Sequence, residues 1–222
     1  MEHLFKNIKR DKSISILDAN IPISEYYPID LSDSNKDLDY VNISNPEECQ
    51  NYIDLILKNS GAKVAYGGYL ERRNLYKESQ LFSGHNQRNI HLGLDFWCSV
   101  GTEVLAPLDG RIHSFKNNSE LGDYGPTIIL EHSIFGEVFY SLYGHLSVES
   151  LEGLLVGQEI KANQTIANLG RPEINVNYAP HLHFQLVMDI EGYFGDYPGV
   201  CRQDDLEFYS KNCPNPNLLL GL

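Results

Sequence analysis

The chain has 222 residues, with 17 Lys and Arg against 30 Asp and Glu, a formal charge of −13 with neutral histidine. The length suits one domain with additions. The charge leaves no cationic surplus for gripping nucleic acid, an anionic membrane or an acidic wall polymer, and no apolar run approaches the roughly 18 residues of a membrane span, so neither nucleic acid nor membrane is expected as a partner.

The N-terminal stretch MEHLFKNIKRDKSISI carries basic residues but neither an apolar core nor a small-residue cleavage site. It does not read as a secretory signal, and a cytoplasmic address is expected. Cys49, Cys98, Cys201 and Cys213 form no CxxC pair and are expected reduced, packed or idle. Residues 1–45 are rich in Asp, Asn, Ser and Pro without periodicity and are expected to form an arm lying on the body.

Residues 46–60 read as a helix. Asn45 can cap it, Pro46 suits the first helical position, and Glu47 and Glu48 favour its positive end. Cys49, Tyr52, Ile53, Ile56 and Leu57 make one apolar stripe, and Gly61 is a natural stop. The stripe is expected on the core rather than on a partner.

From Lys63 onward, short β-branched and aromatic runs alternate with turns. Strands are expected at Lys63–Tyr66, Leu92–Trp97, Glu103–Ala106, Gly110–Lys116, Thr127–His132, Val138–His145, Thr165–Leu169 and His181–Met188, with a hairpin turn at Asp109-Gly110 and a helical segment at Val148–Leu155. The pattern suggests a sandwich or barrel. Residues 1–62 are thus arm and helix, and residues 63–222 a β domain with its core at 88–190. The terminal NLLLGL is read as an edge plug.

Three clusters concentrate chemistry: His91-Leu-Gly-Leu-Asp95, Tyr143-Gly-His145 and His181-Leu-His183. Side chains two apart on a strand share a face, so His181 and His183 project together, and so do Tyr143 and His145. Paired imidazoles repel when both are protonated, which makes a bound cation or a proton-transfer role a natural reason for the pair. Two imidazoles and one carboxylate suit Zn²⁺ better than the all-oxygen shells of Ca²⁺ or Mg²⁺. Gly93 allows a bend between His91 and Asp95 or is an ordinary strand glycine. His132 is read as structural and His113 as a surface strand residue. His3 and His85 have no supporting context, and Arg72-Arg73 reads as a solvated charge pair before an anion-orienting one.

Six segments in order, HLGLD at 91–95, GTEVLAPLDGRI at 101–112, DYGPTIILEH at 123–132, YGHL at 143–146, VGQEI at 156–160 and PHLHFQL at 180–186, resemble the lysostaphin/LytM-type zinc endopeptidases that cut peptidoglycan cross-links. The resemblance implies a mainly β fold, an antiparallel two-sheet sandwich or half-open barrel of the duplicated hybrid motif type, with the helix at its periphery. It implies one Zn²⁺ on His91, Asp95 and His183, with His145 and His181 as the catalytic histidines. The implied activity is hydrolysis of amide bonds in a peptide or peptidoglycan-fragment substrate by metal-activated water, with histidine acid–base residues. That family needs no fourth protein ligand, and Cys98 falls on the wrong strand parity to be one. GGYLERRNLY at 67–76, LYGHLSVESL at 142–151, YPGV at 197–200 and CPNPNLLLGL at 213–222 more narrowly resemble a divergent peptidase domain that occurs fused to class-III aminotransferases. The alternatives are a non-hydrolytic binding or regulatory module on the same scaffold and a phosphocarrier-like protein with paired histidines.

Overall fold

The computed structural model describes residues 5, 14–73, 88–120, 122–175 and 178–222. His3, His85 and residues 74–76 of the narrower resemblance lie outside the described residues.

The helix, α1 (Pro46–Ser60), starts where its signals place it: the Asn45 side chain accepts from the N–H groups of Glu47 and Glu48, and Gly61 ends it at φ 71°. Cys49 and Ile53 are buried, and with Tyr52 and Leu57 they pack beside Leu31, Ala65, Trp97 and Ala179. The apolar stripe therefore faces the protein's own core.

Among the described residues there are twelve strands: β1 (Tyr26–Pro28), β2 (Val64–Gly67), β3 (Ile90–His91), β4 (Leu94–Trp97), β5 (Glu103–Leu105), β6 (Gly110–Asn118), β7 (Gly125–Ile134), β8 (Glu137–Gly144), β9 (Glu159–Ile160), β10 (Thr165–Asn168), β11 (His181–Val187) and β12 (Val200–Cys201). Eight of them form one open sheet in the order β1-β2-β4-β11-β8-β7-β6-β9, and β5–β10 and β3–β12 form two small ribbons. All described pairs are antiparallel except β1–β2. The protein is mainly β, with open rather than closed antiparallel sheets.

Both faces of the large sheet are covered. Leu94, Phe96, Ile128, Leu130, Tyr143, Leu182, Phe184 and Leu186 enter one core with Val104 and Ile166 of the β5–β10 ribbon. Ile129, Leu142 and Val187 enter another with Ile90, Leu92, Tyr197 and Cys201. Central strand β11 is consequently buried along its whole length, as a strand covered on both sides must be.

The arm is woven into the body. Its β1 runs parallel to β2, and Ile14, Ile16 and Leu17 lie in the first core. The tail gains α2 (Leu206–Asn212) and α3 (Asn217–Leu220). Leu219 and Leu220 are buried in the first core, so the leucine plug seals the interior.

Three local expectations need correction. Val148–Leu155 is only a 3₁₀ turn, Val148–Leu151, because the chain turns extended at Glu152 and left-handed at Gly153. The hairpin turn is Phe135-Gly136, both at positive φ as a two-residue turn of this type demands. Asp109-Gly110 instead leads from the β5 ribbon into the large sheet, where the Asp109 carboxylate accepts the N–H of Ala162 at 2.8 Å. Finally, Leu92–Trp97 is not one strand: it breaks at Leu92-Gly93 into β3 and β4.

His132 lies away from the candidate site. Its Nδ1–H donates to the Asp109 carbonyl at 2.9 Å, and Nε2 lies 2.7 Å from the Ser141 hydroxyl. Burial holds its pKa below the ordinary histidine value. The unfolded chain therefore takes up a proton near pH 6.5 that the folded chain refuses. The stability His132 contributes is complete above that pH and is lost as pH falls toward the folded-state value. His132→Gln should flatten the fall in melting temperature below about pH 6.5, measured by thermal scans across that range.

Candidate metal centre

Alternation along β11 sends Leu182, Phe184 and Leu186 into the first core and His181, His183 and Gln185 to the opposite face. Sheet register sets His183 against Asp95 and His181 against Trp97. His91 comes from β3, across the Leu92-Gly93 break. Gly93 does more than bend the chain: a Cβ there would stand 2.7 Å from both His183 Cε1 and the Phe184 carbonyl oxygen. Only glycine lets this backbone pass so close to His183.

His91 Nε2 lies 2.9 Å from His183 Nδ1 and 3.3 Å from Asp95 Oδ1, and His183 Nδ1 lies 3.0 Å from the same oxygen. All three residues are buried, and among the described residues they form a group able to hold a metal, with ligand atoms within 4.8 Å of one another. The outer ring nitrogens fix the tautomers. His91 Nδ1 is 2.9 Å from the Gly68 carbonyl, which can only accept, so the proton sits there. Gln185 donates its amide N–H to the Pro198 carbonyl at 3.1 Å, which turns Oε1 to accept from His183 Nε2–H at 2.9 Å. Two imidazole lone pairs and one carboxylate oxygen therefore converge with no proton between them. Such a donor set suits a cation, and its composition fits zinc.

The electrostatics agree. Burial, aided by Arg73 and His183 and opposed by Asp95, holds the His91 pKa down at about 4, so the ring is neutral near pH 7. Burial disfavours the Asp95 carboxylate, yet the neighbouring His91 and the Arg73 guanidinium outweigh it and keep the carboxyl well below its usual range.

His181 Nδ1–H donates to the Ala179 carbonyl at 2.7 Å, leaving Nε2 directed toward Asp95 Oδ1 at 4.0 Å. Trp97 stacks on its ring, with centroids 5.6 Å apart. His145 lies against His181, centroids 4.2 Å apart, and its buried Nδ1 has no partner. Burial lowers the pKa of both, and for His145 the neighbouring His181 and His183 lower it further.

The shared face expected for Tyr143 and His145 does not exist. Tyr143 pairs with Phe184 in the sheet and points into the first core. His145 stands just past the end of β8 at φ 61°, a left-handed conformation uncommon for a side chain of this kind. That twist carries His145 from the core side to the site. Hydrogen bonds to the Tyr124 carbonyl at 2.7 Å and from Gly170 at 3.0 Å hold it there.

His91, Asp95, His145, His181 and His183 all line one cavity of about 370 Å³. Its walls include Leu31 and Ile43 of the arm, Tyr124, Tyr178 and Tyr197. Cys98 is not part of the ligand group.

Two partners of the site were missed in the sequence. Gln185 sits two residues after His183 and is legible by the same strand parity. Arg73 was read with Arg72 as a solvated pair; only Arg72 fits that, meeting exposed Gln203 at 2.5 Å. Arg73 is buried, with Nη1 donating to Asp95 Oδ2 at 2.5 Å. Nothing local in the sequence marks a residue 22 positions away as the partner of Asp95.

Two buried histidines and one buried aspartate thus gather on one face of the open antiparallel sheet as a candidate metal site. Residues 89–192 match the model of Peptidase family M23. Over 95 residues the chain is 35% identical to an uncharacterized metalloprotease of Haemophilus influenzae, a match covering 43% of this chain and 18% of that protein. A zinc-containing peptidase from Vibrio cholerae is 27% identical, with 45% of this chain and 28% of that one covered and a TM-score of 0.37. The catalytic domain of lysostaphin from Staphylococcus simulans is 27% identical, with 58% and 86% covered and a TM-score of 0.38. The chain thus spans less than a third of the length of the Haemophilus and Vibrio proteins. Among the described residues, no helix is long and apolar enough to cross a membrane.

Proposed function

We propose that this protein is a zinc-dependent amide hydrolase whose substrate is a peptide or a peptidoglycan-like fragment. The observation that carries this reading is the convergence of three proton-free donor atoms, from His91, Asp95 and His183, beside two further neutral histidines. When bound, zinc supplies Lewis acidity, which acidifies water and polarises an amide carbonyl. His91 and His183 keep their lone pairs inward because the Gly68 carbonyl and the Gln185 amide oxygen accept from their other ring N–H groups. Asp95 supplies the anionic donor.

His181 and His145 handle protons in this reading. With Nδ1–H tied to Ala179, His181 offers Nε2 as an acceptor toward the centre. His145 brings an unpaired Nδ1 into the same cavity. Their contact favours at most one protonated ring at a time, which suits taking a proton from water and returning it to a leaving amine. Aromatic walls and a contribution from the arm suit a peptide segment of a few residues.

The test is a screen of short L- and D-amino-acid peptides and muropeptide fragments, read by mass spectrometry. Cleavage that a chelator abolishes and zinc restores is expected. Cleavage indifferent to the chelator would contradict the metal role. No cleavage by the zinc-loaded protein would contradict the hydrolase reading.

A further inference from the structure

Asp95 turns one oxygen toward His91 and His183, so its other oxygen needs a holder. Arg73 is that holder, and it lies outside the residues, 89–192, that match the peptidase family. Nη1 donates to Asp95 Oδ2 at 2.5 Å, and Nε donates to Glu71 Oε2 at 2.5 Å. Glu71 Oε1 in turn accepts the backbone N–H of Leu31 in the arm at 2.8 Å. The guanidinium lies 5.6 Å from the centre of the Trp97 ring. The side chains of Arg73, Glu71 and Asp95 are 6%, 9% and 2% exposed. The backbone gives way to this group as well: a Cβ on Gly68 would stand 2.0 Å from Arg73 Nη2 and 2.9 Å from His91 Nδ1.

We propose that Arg73 is a positioning residue for the metal site, occupying Asp95 Oδ2 so that Oδ1 alone faces the cation, with Glu71 and the arm at Leu31 holding Arg73 in place. The inference rests on the reading of His91, Asp95 and His183 as ligands. A carboxylate free at both oxygens can chelate a cation with both. One whose second oxygen is fixed by a planar guanidinium cannot do so without breaking a charge-assisted bond. Charge points the same way. Arg73 between two carboxylates leaves a net single negative charge beside the site, where Arg73 with Asp95 alone would leave none. Arginine suits the task because its fork reaches Asp95 and Glu71 together, which a lysine ammonium on its flexible stem does less well.

The test uses the full chain loaded with Co²⁺, whose visible absorption reports coordination, together with Zn²⁺ affinity from chelator competition. Arg73→Met should lower metal affinity by roughly 10- to 100-fold, the usual worth of a group supporting a ligand. It should also weaken the Co²⁺ absorption as Asp95 becomes free to bind through both oxygens. Arg73→Lys should restore part of the affinity. Glu71→Gln, which keeps shape and packing, should change both readouts in the same direction by less. Arg72→Met, altering only the exposed neighbour, should change neither. A lower melting temperature in Arg73→Met with wild-type affinity and spectrum would overturn the proposal. Should that variant fail to fold, a wild-type spectrum and affinity in Glu71→Gln would overturn it instead. Wild-type protein that takes up no Co²⁺ would contradict the ligand set itself, and the role of Arg73 with it.

Discussion

Asp95→Asn should lose metal binding while keeping the fold. The substituted amide can turn its oxygen to Arg73 and its NH₂ toward the lone pairs of His91 and His183. The metal-free protein thereby stays satisfied, but the anionic donor is gone. Metal affinity should fall at least about 100-fold, since groups that merely support a ligand are worth up to that factor. Asp95→Ala separates binding from stability. It strips a buried guanidinium of one of its two carboxylates, and breaking such a pair costs about 3 kcal/mol or more, with Glu71 keeping the loss near the low end. Metal content after dialysis and the melting temperature of the metal-free proteins check both. Stoichiometric metal in Asp95→Asn would show that the aspartate is no ligand.

Substitution of either non-ligand histidine should leave the metal in place and remove most of the turnover. His181→Ala and His145→Asn are the suitable changes, because asparagine tolerates the left-handed backbone at position 145. Each should lower the rate by roughly 10² to 10⁴, the usual worth of a general acid–base group. The double variant should lose less than the product of the two, since both rings serve one proton cycle. Steady-state rates on whichever peptide the screen selects, with metal counted in each variant, measure this. Loss of metal from His181→Ala would make His181 a ligand and end the proposed division of roles.

Strand parity made the His181–His183 pair legible, because β11 is regular and its register against β4 follows from a buried apolar face. The helix at 46–60 was legible for a similar reason: cap, first-turn proline, stripe and stop all lie within the segment. Parity failed at His145, where a single left-handed residue reverses the direction of the side chain. Its neighbour Tyr143 keeps to the strand rule and goes to the core. The segment at 148–155 failed differently: the helix expected there stops after Leu151, where Glu152 turns extended and Gly153 left-handed. Arg73 shows a third kind of limit. Its partner Asp95 is brought to it by β2 lying beside β4 and by the bridge of Arg72 to Ile90, contacts that no local pattern announces. Before folding it is indistinguishable from Arg72, which remains at the surface.

The metal content of the full chain, purified without added zinc and measured by inductively coupled plasma mass spectrometry, tests the metal centre most directly. Close to one zinc per chain is expected, falling away in Asp95→Asn and persisting in His181→Ala. Protein that holds no divalent metal, and takes none up when zinc is supplied at neutral pH, would contradict it.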